Sequence, residues 1–164
     1  LRNSSAASDV YKRQTYDRVT KDKIEILEYK KDKDYTDFEI ALNHVINLKI
    51  KDITVIGGEY GDIDHLFGAL LAITKLHTDQ NILWLHSEQK ILFPKSESIG
   101  IGIKTKFSVL PFTDLKNLNI SGAKWNLENE NIEFGRTKTL RNVARNEKIN
   151  ISVSEGKFCL IINS

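Results

Sequence analysis

The chain has 164 residues, of which 40% are apolar and 28% charged, and its formal net charge is +2. That length accommodates one core or two small ones, and the balance excludes both a disordered chain and a lipid-embedded one. Lysine alternates with aspartate and glutamate instead of gathering in one basic tract, which argues against nucleic acid as a partner.

No run approaches the roughly 18 consecutive apolar residues of a membrane helix, and the first residues contain no secretory apolar segment. A cytoplasmic protein without membrane association is expected. The lone cysteine, Cys159 in KFCLIIN, cannot close an internal disulfide and reads as a small buried hydrophobe in a reducing compartment. Residues 1–14, LRNSSAASDVYKRQ, have neither period-2 nor helical patterning and resemble translated adaptor or cloning sequence.

From there the chain alternates strand and helix signals. KIEILEY predicts a strand ending near Tyr29. Thr36 followed by Glu39 is a capping-box pair, so a helix is expected from about Asp37, with Phe38, Leu42, Val45 and Leu48 on its apolar face. KDITVIGG supplies a strand over Ile53–Ile56 whose continuous apolar character suits burial on both faces. A second helix is expected from Asp64 through Leu76, with Leu66, Phe67, Leu70, Leu71 and Ile73 forming a wide apolar face, and NILWLH is the next strand. This order suits right-handed crossovers in a parallel sheet. Beyond His86 the helical period disappears. KILFP, KFSVLPF, NLNISG, NIEF, INISVS and KFCLIIN are short runs broken by Gly, Asn, Pro and Ser, which predicts an antiparallel sandwich or barrel. Residues 150–164 read as a closing hairpin around Glu155 and Gly156, with Ile151 and Val153 opposite Phe158 and Leu160. No linker separates the halves, so direct packing is expected.

Two carboxylate clusters follow strands of the first half: Asp32, Asp34 and Asp37, then Asp62 and Asp64. Parallel strands deliver their carboxyl ends to one edge, and ligands bind in the crevice outside it. Magnesium is usually held there by one or two carboxylates together with substrate phosphates. Gly57, Gly58 and Gly61 would let backbone amides approach phosphate oxygens, assisted by the helix N-termini. Each signal alone has an ordinary alternative. KKDKDYTD suits a solvated loop, Asp62 a helix cap, Asp64 a first-turn residue favoured by the helix dipole, the glycines a turn, and His65 a surface histidine.

DKDYTDFEIAL and GGEYGDIDHLFGALL resemble the acidic segment and the glycine-rich Asp-His turn of the thiamine pyrophosphokinase family. Further along, FSVLPF, SGAKWNL and SEGKFCLII resemble that family's Phe-Ser-Leu-x-Pro, Gly-Leu-Lys-Trp-x-Leu and terminal hairpin segments. The resemblance implies an incomplete parallel-sheet ATP-binding α/β domain over residues 15–88 and an antiparallel β-sandwich that binds thiamine over 89–164. It also implies transfer of diphosphate from Mg-ATP to the thiamine hydroxyl, releasing AMP, in homodimers whose sites are shared between subunits. By the same resemblance Asp37 and Asp64 would be the catalytic and magnesium-binding carboxylates, with Asp34, Thr36 and His65 nearby. Trp125 would stack on thiamine, and Ser108, Arg141 and Asn142 would lie on the substrate side.

Three departures stand out. Arg141, Asn142 and Val143 replace the family's Ser-Asn-Glu, and Tyr60 stands where glycine is usual. The Asp-Gly-Gly and Gly-Asp-Phe-Asp segments expected upstream are not in the sequence, so the chain reads as truncated. These departures favour, as the alternative, a non-catalytic nucleotide- or thiamine-sensing module. An interaction protein whose sandwich self-associates is a third reading.

Overall fold

The computed structural model describes residues 27, 29, 34–58, 62–76, 80–95 and 97–163. The leader 1–14 lies outside the described residues, as do Tyr60, Gly61 and, apart from Leu27 and Tyr29, the strand expected to end near Tyr29. The chain divides into two compact units, Leu1–Tyr35 and Thr36–Ser164, and the second holds every element named below.

Helix α1 spans Asp37–Asn47. The expected capping box is present: the Glu39 amide donates to Thr36 Oγ1 at 3.2 Å and the Thr36 amide donates to Glu39 Oε2 at 3.0 Å. These bonds satisfy two amides that the helix leaves without partners. The backbone hydrogen bond from Thr36, with help from its hydroxyl, also holds the Glu39 carboxyl below its ordinary pKa. Leu42 is buried, whereas Leu48 is the C-cap residue and is exposed.

Strand β1 is Asp52–Ile56, helix α2 Ile63–Lys75 and strand β2 Asn81–His86. The remaining strands are β3 (Gln89–Leu92), β4 (Glu97–Gly100), β5 (Lys106–Pro111), β6 (Leu115–Ser121), β7 (Leu127–Ile132), β8 (Asn142–Val143), β9 (Lys148–Ser152) and β10 (Phe158–Asn163). They form a six-stranded sheet in the order β1-β2-β3-β10-β5-β8 and a four-stranded sheet in the order β4-β9-β6-β7. The protein is therefore mostly β, with two helices and two sheets among the described residues. Among the described residues, parallel pairing is confined to β1 with β2; the other ladders are antiparallel.

Two apolar clusters cover opposite faces of the larger sheet. Phe107, Val109 and Leu160 face Leu118, Ile120 and Ile149 of the smaller sheet, as in a sandwich. Leu42, Leu70, Ile73, Ile82, Trp84 and Cys159 form the second cluster, with the helices. Strand β10 is buried from both sides, which accounts for its unbroken FCLIIN run: Phe158, Leu160 and Ile162 turn to the sandwich, Cys159 and Ile161 to the helices. Burial pushes the Cys159 thiol up to about 12, well away from a reactive thiolate.

Three expectations are corrected here. Strand β1 is covered on one face only: Ile53 and Val55 join the helix-side cluster, while Thr54 and Ile56 are exposed. Among the described strands it stands at the sheet edge, and the sandwich core draws on the larger sheet through β3, β5 and β10. In α2 the buried stripe is narrower than expected, because Phe67 and Leu71 are exposed. The closing hairpin does not form. β9 pairs with β4 and β6, whereas β10 pairs with β3 and β5, so the chain crosses between sheets at Ser154–Lys157. Ile151 and Val153 still share a cluster with Phe158 and Leu160, but in the sandwich core instead of along a ladder.

Gly156 makes that crossing possible. Its φ of +113° suits glycine, and a Cβ there would collide with the Asp114 carbonyl and approach Leu115 Cδ2 to 2.7 Å. Gly156→Ala is expected to destabilise the fold by about 2 kcal/mol, read as a lowered midpoint in chemical denaturation. A change below about 0.5 kcal/mol would show that the crossing tolerates a side chain.

Strand β2 turns directly into β3 through Ser87–Glu88, so one sheet runs continuously through residues 86–89. Lys157 adds a tie, its ammonium donating to the Thr74 carbonyl at 2.8 Å and to that of Lys75 at 3.3 Å, where α2 leaves carbonyls without helical partners. Among the described residues no helix is long and apolar enough to cross a membrane.

Candidate functional site

Strand β1 ends at Ile56 and hands the chain to Gly57 and Gly58, whose φ values of +100° and +88° demand glycine or strain. The chain then reaches Asp62, the N-cap of α2. Its side chain makes no capping hydrogen bond, which leaves the carboxylate available to a ligand. Asp62, Asp64 and His65 bring one potential ligand atom each to within 4.8 Å of one another, all exposed. The Asp64 carboxylate accepts from the His65 amide at 2.8 Å, and His65 Nδ1 lies 3.8 Å from the same oxygen. A paired carboxylate at a helix N-terminus is favoured by the helix dipole, and the group as a whole offers hard oxygen donors to a cation.

Asp37 opens α1, which packs against α2, and Thr36 is committed to the capping box. Asp37 is not a member of the Asp62–His65 cluster. Asp34 is exposed and lies in the unit Leu1–Tyr35. Gly61 lies outside the described residues.

The other four expected residues are drawn together by β5, β8 and the turn before β7. Ser108 Oγ accepts from the Arg141 amide at 2.9 Å. Asn142 is buried and grips Trp125 at both backbone poles: its Oδ1 accepts from the Trp125 amide at 3.2 Å, and its Nδ2 donates to the Trp125 carbonyl at 2.7 Å. The same Oδ1 accepts from the Val143 amide at 2.8 Å. Asn142 thus holds Trp125 in place, and its polar atoms are largely committed to the backbone. The Trp125 side of this clamp is half exposed, with Lys124 Nζ 4.3 Å from the ring centroid, so the indole face already receives a cation. Thr139 secures the segment by exchanging two hydrogen bonds with Val109, at 2.7 and 3.0 Å.

Sequence reasoning placed Asp62 in the second carboxylate cluster, with a helix cap as its ordinary alternative, and passed over Trp84, His86 and Lys124. The failed cap is a matter of side-chain rotamer and has no sequence signal. Ile82, Trp84 and His86, however, alternate along NILWLH, and period-2 reading places them on one face at the end of a strand. A cavity of about 880 Å³ opens elsewhere, beside Thr74, Leu76, Lys95 and Lys157. It adjoins the opposite end of α2 from Asp64, about 15 Å along the helix axis at 1.5 Å per residue.

Two family models match in tandem: the thiamin pyrophosphokinase catalytic domain over residues 8–85 and the thiamin pyrophosphokinase vitamin B1 binding domain over residues 88–158. The chain belongs to the thiamin pyrophosphokinase family. Among solved structures it is similar to thiamine pyrophosphokinase from Bacillus subtilis, with 26% identity and a TM-score of 0.75 over 83% of this chain and 66% of that one. The Geobacillus thermodenitrificans thiamin pyrophosphokinase gives 25% identity and a TM-score of 0.77 over 96% of this chain and 72% of that one. An Enterococcus faecalis thiamin pyrophosphokinase family protein, at 21% identity and a TM-score of 0.77 over 93% of this chain and 74% of that one, shares the fold. The chain thus spans just under two thirds of the length of the Bacillus subtilis protein. No curated protein gives a significant match.

Proposed function

We propose that the protein is a thiamine diphosphokinase, transferring diphosphate from Mg-ATP to the hydroxyl of thiamine and releasing AMP. The observation that carries this reading is the tandem family match, catalytic then B1-binding, along one chain. In this reading residues 15–88 take the nucleotide and residues 89–164 take thiamine, in a cytoplasmic homodimer that builds each site from both subunits.

The donor set at the start of α2 fits a magnesium ion: Asp62 and Asp64 supply carboxylate oxygens, and His65 is placed to hydrogen-bond a ligand held there. Asp37, in the first turn of the neighbouring helix, is the candidate further carboxylate. When bound, magnesium supplies charge neutralisation on the phosphate oxygens. The chain's own contribution is positioning. The Gly57–Gly58 turn lets backbone approach the phosphates closely, and the two helix N-termini favour the same anion. Trp125 offers an indole face to the cationic aromatic ring of thiamine, and Arg141, next to the Asn142 clamp, is suited to a phosphate. Holding the hydroxyl and the β-phosphorus in contact converts an encounter between two substrates into a local step.

The deciding measurement is AMP release with ATP, magnesium and thiamine together. AMP is expected in step with thiamine diphosphate, and to vanish when thiamine is omitted or magnesium is chelated. Binding of both ligands without AMP would replace this reading with the sensing module, which the Arg141–Asn142–Val143 segment favours.

A further inference from the structure

We infer that Trp84 is the positioning residue of the nucleotide side, fixing the Gly57–Gly58 turn and the start of α1 relative to each other. The inference rests on the proposed nucleotide role of that turn.

Trp84 is 3% exposed, on the helix-facing side of β2. Its indole Nε1–H donates to the Gly57 carbonyl at 2.8 Å, and the Gly57 amide donates to the Leu85 carbonyl at 3.3 Å, so β2 holds Gly57 by both polar groups. The same ring forms the floor under Gly58, where a Cβ would stand 3.0 Å from Trp84 Cζ2. Phe38, which follows Asp37 in the first turn of α1, stacks on the indole with centroids 6.2 Å apart and planes at 25°. On another side His86 meets it edge-on at 5.8 Å, and His86 Cδ2 is 3.9 Å from the Gly58 Cβ position.

One side chain therefore touches the first turn of α1, the turn after β1 and the end of β2. Leucine or phenylalanine could fill such a core site, but neither carries a donor. The buried N–H needs an acceptor, and the acceptor it takes is the turn that leads to the Asp62–His65 cluster. With the Gly57 carbonyl held inward, the Gly58 amide, which shares its peptide plane, keeps one direction, as an anion cradle requires before its ligand arrives.

Trp84→Phe keeps an aromatic ring against Phe38 and removes the donor, and Trp84→Leu removes both. In Trp84→Phe the KM for ATP is expected to rise about tenfold, with kcat and the KM for thiamine unchanged, the pattern of lost nucleotide binding. Trp125 then remains as the single tryptophan, and thiamine should alter its fluorescence with an unshifted midpoint. Hydrogen exchange at residues 57–66 should accelerate in Trp84→Phe, with no change across Leu115–Ser121. Unchanged KM for ATP, or equal rises for ATP and thiamine, would overturn the assignment. If the parent chain releases no AMP and binds no Mg-ATP, the nucleotide reading falls. The exchange comparison then decides Trp84 by itself: faster exchange confined to 57–66 supports its hold on the turn, and unchanged or general acceleration refutes it. Should Trp84→Leu fail to fold, Trp84→Phe carries every one of these readouts.

Discussion

Replacing Asp64 with asparagine is expected to cut magnesium-dependent AMP release by about 100-fold or more while leaving thiamine affinity within about twofold. A bound dication is worth several kcal/mol of charge stabilisation, and each 1.36 kcal/mol is tenfold in rate. The substitution is also a clean one. Asparagine retains an oxygen to accept from the His65 amide, which now donates to Asp64 at 2.8 Å, and it remains at home in a first helical turn. Because Asp64 is exposed and supports no buried contact, the expected loss of stability is only a few tenths of a kcal/mol from the helix dipole. Isothermal titration with thiamine and a thermal melt would separate lost chemistry from lost fold. Turnover at near-parental rate in Asp64→Asn would remove Asp64 from the metal site.

The second large effect is expected at Asn142, and there stability and binding should fall together. Asn142→Ala strands the Trp125 amide, the Trp125 carbonyl and the Val143 amide, which Asn142 now satisfies at 3.2, 2.7 and 2.8 Å. Buried groups left without partners cost about 1–3 kcal/mol each, and water reaching the half-exposed Trp125 side offsets part of that. A net loss of about 3 kcal/mol is expected by denaturant titration. Trp125 loses its fixed backbone as well, so thiamine affinity should fall about tenfold or more in calorimetry. Asn142→Asp keeps the acceptor and loses the donor to the Trp125 carbonyl, and should be intermediate in thiamine affinity. A destabilised Asn142→Ala that binds thiamine normally would separate the clamp from the substrate site.

Much of the local structure was legible because it rests on near-neighbour chemistry. The Thr36–Glu39 box marks the start of α1 within one residue, and the Gly57–Gly58 pair marks the end of β1, since both depend on backbone groups a few positions away. The strand runs KFSVLPF and KFCLIIN also emerge close to their expected bounds as β5 and β10. Partner choice was harder. INISVS and KFCLIIN, joined by a short Gly-containing loop, carry the pattern of a hairpin, and alternation cannot say whether two such strands pair side by side or face each other across a core. Nor could it reveal β4 and β8, which are short and take their place from neighbours.

The candidate site divides along the same line. Which residue types could bear the chemistry was written in the sequence, since oxygen donors, an indole face and left-handed glycines are properties of single residues. Their grouping was decided by the tertiary structure. The exception is the trio Asp62, Asp64 and His65, close in sequence and presented by one helix start, whereas Asp37 opens a different helix. Asn142 grips Trp125 only because β8 lies beside β5 and the chain returns past the turn before β7. Local propensity acts over three or four residues of chain, while hydrogen-bond and packing partners of this kind are chosen among segments far apart in sequence by the burial of a shared core.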